Sequence, residues 1–342
     1  MKPIWNKTFA FVITALSAAY PAHAQESRPP ALDFPLACTI GKDCFVQYYV
    51  DMKPGKGAAD YRCGSLAKND HKGADIRIRT LADMAKGVSV IAAASGKVVN
   101  IRRGVKDQYF SDYSKKKKKE IYAIGLGNVV VIDHGDGWES YYAHMKQGSI
   151  KVVKGQRIEK GDVLGSVGMS GLTDFPHVHF EVRYNRTRMD PFSGAAINSG
   201  CDLPDNPYWS EKTLKTLTYT PTFFVNTGFS EIRPANRKDL ESGKKKQNEI
   251  SSMAPTLFFW SYYIGSRKGD KVRLKMTGPN GKTVATYLSK PMGSNQISRY
   301  IFVGAKRPAG GWAAGTYKGK ISVIRRGKTY EDAARIFVTV RG

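Results

Sequence analysis

The sequence predicts an all-β chain in two parts: a compact antiparallel β domain over 38–203, then an immunoglobulin-like β-sandwich over 214–342. Three observations point there. Short β-branched runs recur along the chain, Gly-rich turn signals separate them, and no amphipathic helix of any length competes. The 342 residues suit about two domains, and 41% hydrophobic content is enough to bury a core in each, which excludes a disordered chain. With 34 Gly, 16 Pro and 11% aromatic residues, the composition also excludes collagen-like repeats and coiled coils. The outlier is charge: 54 Lys and Arg against 29 Asp and Glu give +25, enough to attract anionic polymers or membranes.

The first 24 residues read as a secretory signal peptide. Lys2 and Lys7 precede an apolar run from Phe9 to Tyr20, and Ala22-His23-Ala24 offers a cleavage site. The run has 12 residues, too few to span a bilayer, and no later segment reads as a membrane span. The mature chain is therefore expected to be exported, to a periplasm first and to the medium next, with no transmembrane segment after cleavage. Residues 25–37 are Pro-rich and expected as a flexible lead-in. All four cysteines, Cys38, Cys44, Cys63 and Cys201, lie in the exported part, where disulfides persist. Three pairings are open; Cys38 with Cys44 and Cys63 with Cys201 is favoured, a local loop plus a tie between the ends of one domain. A four-cysteine zinc site competes weakly, because the chain has no C-x-x-C pair.

Strands of the first domain are expected at Val88–Ile91, Gly96–Val99, Asn128–Ile132, Val163–Gly165 and Val178–Val182. Between two of them a polar insertion, about Arg102 to Glu120, carries Lys115, Lys116, Lys117, Lys118 and Lys119. One reading is a solvated loop held open by self-repulsion, the other a contact for anionic envelope polymers. No nucleic-acid motif or interleaved aromatic platform is present, so nucleic acid is not expected as a partner.

After the Pro204–Trp209 turn the texture changes, and from about Leu214 to Val340 there is no His and no Cys. Strand-like segments run over Leu217–Val225, Thr256–Tyr263, Val272–Met276, Ile297–Val303, Gly315–Val323 and Arg335–Val340, with a Gly278-Pro279-Asn280-Gly281 turn between two of them. The sandwich reading lacks the Cys-Trp-Cys hallmark. Without clustered titratable groups this part is a packing or targeting module. Its aromatics Phe258, Phe259, Trp260, Tyr262 and Tyr263 are expected as core, although with the Lys244-Lys245-Lys246 run they could bind polymer.

Chemistry concentrates in His71, Asp75, His144, His177 and His179. His71 and Asp75 stand four apart with Gly73 allowing a bend between them. In His177-Val178-His179 the two-residue strand period puts both imidazoles on one face and turns Val178, Phe180 and Val182 to the other. Two buried imidazoles side by side need a reason, and a divalent metal supplies one. A catalytic zinc site takes three protein ligands and keeps one open position. His71, Asp75 and either His177 or His179 give that count, leaving the other imidazole and His144 for proton transfer or charge stabilisation. Each histidine alone is more often an unrelated core or surface residue; their shared domain and ordered contexts argue otherwise. His134 reads as a turn residue with no chemistry.

The runs HKGAD (71–75), GLGNVVVIDHGDGWESYYAHM (125–145) and VVKGQRIEKGDVLGSVGMSGLTDFPHVHFEVR (152–183), closing with Met189-Asp190-Pro191, resemble the lysostaphin-type (LytM-domain) zinc metallopeptidases. The resemblance covers about 60–195. It implies a compact antiparallel β fold with a groove, one Zn2+ per chain, and endopeptidase action on the peptide stems of bacterial peptidoglycan. It further implies His71, Asp75 and His179 as zinc ligands and His144 and His177 as the catalytic pair. The Lys-rich insertion, the four cysteines and the C-terminal module depart from the usual arrangement and bear on substrate preference and regulation. Two rival roles follow: a non-enzymatic activator of other wall hydrolases, and a secreted peptidase for Gly-rich proteins or competitor walls.

Overall fold

The computed structural model describes Met1 and residues 28–340; the expected signal peptide and its cleavage site after Ala24 lie outside the described residues. The chain is mostly β and its strand pairs are antiparallel, save one parallel pair among the described residues, β12 (Glu249–Ser251) with β18 (Lys328–Thr339).

The first part is built on an eight-stranded sheet. Seven strands lie in the order β1 (Cys44–Tyr48), β2 (Ala74–Ile78), β9 (His177–Tyr184), β6 (Trp138–Ala143), β5 (Val129–Gly135), β4 (Gly96–Arg102) and β7 (Arg157–Ile158), while β10 (Thr187–Met189) pairs with β9. β3 (Ser89–Ile91) and β8 (Val163–Ser166) pair separately. The alternation along β9 follows the two-residue period: Val178, Phe180 and Val182 enter the core, and His177, His179 and Glu181 face the opposite side. Cys38 is bonded to Cys44 and Cys63 to Cys201.

The second part stacks two sheets, β11 (Phe223–Ser230), β13 (Thr256–Ser266) and β16 (Gln296–Lys306) against β12, β18, β17 (Gly315–Arg325), β14 (Lys271–Thr277) and β15 (Thr283–Leu288). Their inner faces share a core that includes Phe259, Leu274, Ile321 and Ile336. Of the aromatics expected as core, Phe259, Trp260, Tyr262 and Tyr263 are buried and Phe258 is half-buried.

Four expectations need correction. The lead-in is pinned from residue 28 onward: Leu32, Phe34 and Leu36 are buried, and Leu32 exchanges backbone hydrogen bonds with Tyr208 and Ser210. Three large apolar side chains at alternate positions gain more from burial than a Pro-rich tether gains in freedom. The lysine run is not a loop but the first half of α2 (Lys115–Ala123), capped by the Ser114 side chain on the backbone N–H of Lys117. Lys is a good helix former, and the cap and the Lys117–Glu120 pair offset its self-repulsion. The strand expected from Leu217 begins only at Phe223, because Leu217 donates back to Thr213 at the end of α3 (Glu211–Leu214) and Pro221 has no N–H to give. His134 is not a turn residue: it lies in β5, its ring nitrogens held by Ser95 O and Ser140 Oγ, each at 2.8 Å.

The two parts are fused rather than tethered. Phe223, Val225, Leu240, Trp260 and Tyr262 belong to the same buried cluster as β2 and β9. Phe45 stacks on Phe223 at 4.5 Å. Between them the fully buried guanidinium of Arg77 donates to Gln47 Oε1 (2.6 Å), to Ile78 O (3.1 Å) and to Glu241 Oε1 (3.0 Å), the last from α4 (Arg237–Glu241). Removing one partner of a buried ion pair leaves an uncompensated charge, so Glu241→Ala is expected to cost about 3–5 kcal/mol. Denaturant unfolding should show that loss in one cooperative transition; two separate transitions, with the first part unaffected, would contradict a shared core.

Candidate metal centre

Strand pairing assembles the site. Asp75 on β2 lies directly opposite His179 on β9, and His177 lies opposite Arg77 two positions along. His71 arrives from the turn before β2. That turn needs Gly73, since a Cβ there would meet Phe180 O at 2.6 Å and His179 Nε2 at 2.8 Å. His144 follows the end of β6 with φ +58°, a left-handed conformation that non-glycine residues adopt rarely and that collects at functional sites. Its ring centroid lies 4.7 Å from that of His177 and 5.8 Å from that of His179.

Asp75 Oδ1 is the focus. It lies 2.7 Å from His179 Nδ1, 3.1 Å from His71 Nε2 and 3.4 Å from His177 Nε2. The outer nitrogen of each ring is occupied. His71 Nδ1 donates to Tyr49 O (2.7 Å), His144 Nδ1 to Ser170 O (2.7 Å), His177 Nδ1 to Phe175 O (2.9 Å), and His179 Nε2 to Glu181 Oε1 (3.2 Å). A neutral imidazole whose N–H is spent outward presents a lone pair inward. With those N–H groups directed outward, the neutral form of each ring would turn its other nitrogen's lone pair toward the buried Asp75 carboxylate, an arrangement suited to a divalent cation.

The donor atoms of His71, Asp75 and His179 all lie within 4.8 Å of one another, close enough to hold one ion. A second grouping, Cys38, Asp43 and Cys44, is excluded as a site because its sulfurs are joined in a disulfide and offer no thiolate. In the metal-free chain, burial opposes the charge on Asp75, but the neighbouring His71 and His177 outweigh it and hold the carboxyl well below its usual range. Burial also opposes charge on His179; hydrogen bonds to Asp75 and Glu181 outweigh it and raise this imidazole to about 9. Burial dominates at His144 and His177 and lowers both, so both rings are neutral at neutral pH.

The site opens into a groove of about 730 Å³. The insertion and the end of α2 supply one wall through Phe110 and Tyr122, whose rings meet edge to face at 5.1 Å, while the lysines are exposed or half-exposed on α2 and do not line the groove. Arg237 and Ser298 of the second part line it too. Sequence reasoning missed these, since nothing in the pattern joins α4 to the histidines. It also missed Glu181, although the strand period that pairs His177 with His179 puts Glu181 on the same face. Glu181 is held in turn by the Arg183 guanidinium and lies 3.4 Å from Arg188 Nε.

Residues 69–191 match the model of Peptidase family M23. Among curated proteins, the cell division protein DipM of Caulobacter vibrioides is 41% identical over 65 residues, 19% of this chain and 10% of that protein. The DD-carboxypeptidase/endopeptidase Mpg of Neisseria meningitidis is 38% identical over 71 residues, 21% of this chain and 16% of that protein. The murein hydrolase activator NlpD of Escherichia coli is 28% identical over 106 residues, 31% of this chain and 22% of that protein. The chain thus spans less than a quarter of the length of each of these relatives.

Because His179 carries a proton at pH 7 in the metal-free chain, zinc binding must displace it. Calorimetric titration with Zn2+ in buffers of different ionisation enthalpy should show close to one proton released at pH 7, and affinity should rise with pH until about 9. Release of no proton would place the ion away from His179.

Proposed function

With residues 69–191 a peptidase family M23 domain, we propose that the chain is an exported zinc-dependent endopeptidase that hydrolyses peptide cross-links of bacterial peptidoglycan. In this reading 38–203 forms the catalytic domain, 214–342 an accessory domain, and peptidoglycan peptide stems are the substrate. The observation that carries it is the complete inward-facing set: three donors able to hold one ion, and two further neutral imidazoles beside them.

His71 Nε2, Asp75 Oδ1 and His179 Nδ1 would hold the zinc. A zinc ion bound by such donors polarises a carbonyl and lowers the pKa of bound water. His144 and His177 supply the proton traffic. Neutral at neutral pH, each accepts a proton at Nε2 while its Nδ1–H stays fixed on a backbone carbonyl. Once protonated, the same Nε2–H can donate to the developing oxyanion or to the leaving amine. Phe175 stacks on the His177 ring at 4.2 Å and fixes its plane.

NlpD, by its name an activator of other hydrolases, shows that similarity of this kind also accompanies non-enzymatic roles. The intact set of five groups supports hydrolysis here. Incubation of purified sacculi with the zinc-loaded protein should release muropeptides, and a chelator should abolish the release. His144→Ala is expected to keep zinc and lose about 10²–10⁴-fold in turnover. His179→Ala is expected to lose zinc and activity together. Zinc-loaded protein that releases nothing by itself yet stimulates a second wall hydrolase would establish the activator role instead.

A further inference from the structure

The outer face of the second part's five-stranded sheet carries a patch of charge that the groove chemistry leaves unused. Along β14 and β17 the odd and even positions separate sharply: Val272, Leu274, Met276, Tyr317, Ile321 and Val323 are buried, while Lys271, Arg273, Lys275, Lys318 and Lys320 are exposed. Arg335 on β18 joins them, and Lys246 reaches in from the loop before β12. Lys246, Lys275, Lys318, Lys320 and Arg335 rim a trough of about 640 Å³ with the small residue Ala333 between them. Among the described residues only Lys320 of these five has an ion-pair partner, Glu331 at 2.7 Å.

The register makes this arrangement costly. Lys275 pairs directly with Lys320 across β14 and β17, and Lys318 pairs directly with Arg335 across β17 and β18. Like charges directly opposite on a sheet destabilise it. Protection of an exposed sheet edge does not explain them, because β17 is an interior strand with neighbours on both sides. An anionic ligand does explain them, by neutralising charges that otherwise repel.

We propose that this face binds a linear polymer bearing phosphate groups. Four of the five rim cations are Lys, compact point charges whose three rotatable donors can meet phosphate oxygens without a fixed fork geometry. The cations extend over three strands and a loop, so the trough takes several phosphates in a row rather than one. None of its lining residues is aromatic, which leaves bases of a nucleic acid with nothing to stack on. The proposal is independent of the zinc site and of the reaction assigned to it.

Binding of inorganic polyphosphate to the full mature chain, followed over a range of salt concentrations, tests it. The variant Lys275→Gln/Lys318→Gln/Lys320→Gln should bind at least tenfold more weakly at low salt. Its slope of log affinity against log salt should be shallower by about 2, following three lost phosphate contacts on a single strand. The same variant should melt at or above the wild-type temperature, since it removes the opposed charges; weaker binding is then not a folding defect. Wild-type affinity in this variant overturns the proposal, as does loss of binding only when Lys115, Lys116, Lys118 and Lys119 of α2 are changed to Gln. Tighter binding of single-stranded DNA at equal phosphate number, or binding to anionic phospholipid vesicles without binding to polyphosphate, assigns the face to another partner and overturns it equally.

Discussion

One oxygen of Asp75 governs the architecture around it. Three imidazole nitrogens lie 2.7–3.4 Å from it, and the carboxylate is almost fully buried. Keeping a charge there without a counter-charge would be prohibitive, so everything nearby is arranged either to supply one or to aim donors at one. Gly73 leaves the room that a Cβ would take from Phe180 O and His179 Nε2, and His144, at positive φ, stands beside the His177 and His179 rings. The outward hydrogen bonds to Tyr49, Ser170, Phe175 and Glu181 fix which nitrogen of each ring looks inward. A cation at this focus would take the place of the proton between His179 and Asp75 and turn the inward nitrogens into ligands.

The second part of the chain takes hold of this site from behind. Glu241 holds Arg77, and the Arg77 guanidinium lies 5.1 Å from the centre of the Phe175 ring, which stacks on His177. The module after Cys201 therefore supports the histidine-bearing face and forms a wall of the groove. Its outer sheet points elsewhere, with charges that do not line the groove.

Much of the site was legible in sequence because it obeys local periods. The H-x-H spacing on a strand fixes a common face whatever the rest of the chain does, and the H-x-x-x-D segment with a central Gly marks a bend toward it. Short β-branched runs located β3, β4, β5, β8 and β9, half the strands of the first part, for the same reason. What escaped was set by long-range packing. Nothing in residues 28–37 distinguishes a Pro-rich tether from one whose Leu32, Phe34 and Leu36 find a core formed partly by Tyr208 and Trp209. The lysine run looked solvated, and it is, but its helix depends on the Ser114 cap and on Ile121 reaching the interior. Arg237 and Ser298 joined the groove only through the docking of one part on the other.

The most direct measurement is anomalous diffraction at the zinc edge from crystals of the purified mature protein. A single zinc bonded to His71 Nε2, Asp75 Oδ1 and His179 Nδ1, with a fourth position open toward the groove, is the expected result. An ion held by His177, or zinc found only outside this cluster, would contradict the account of how these side chains are used.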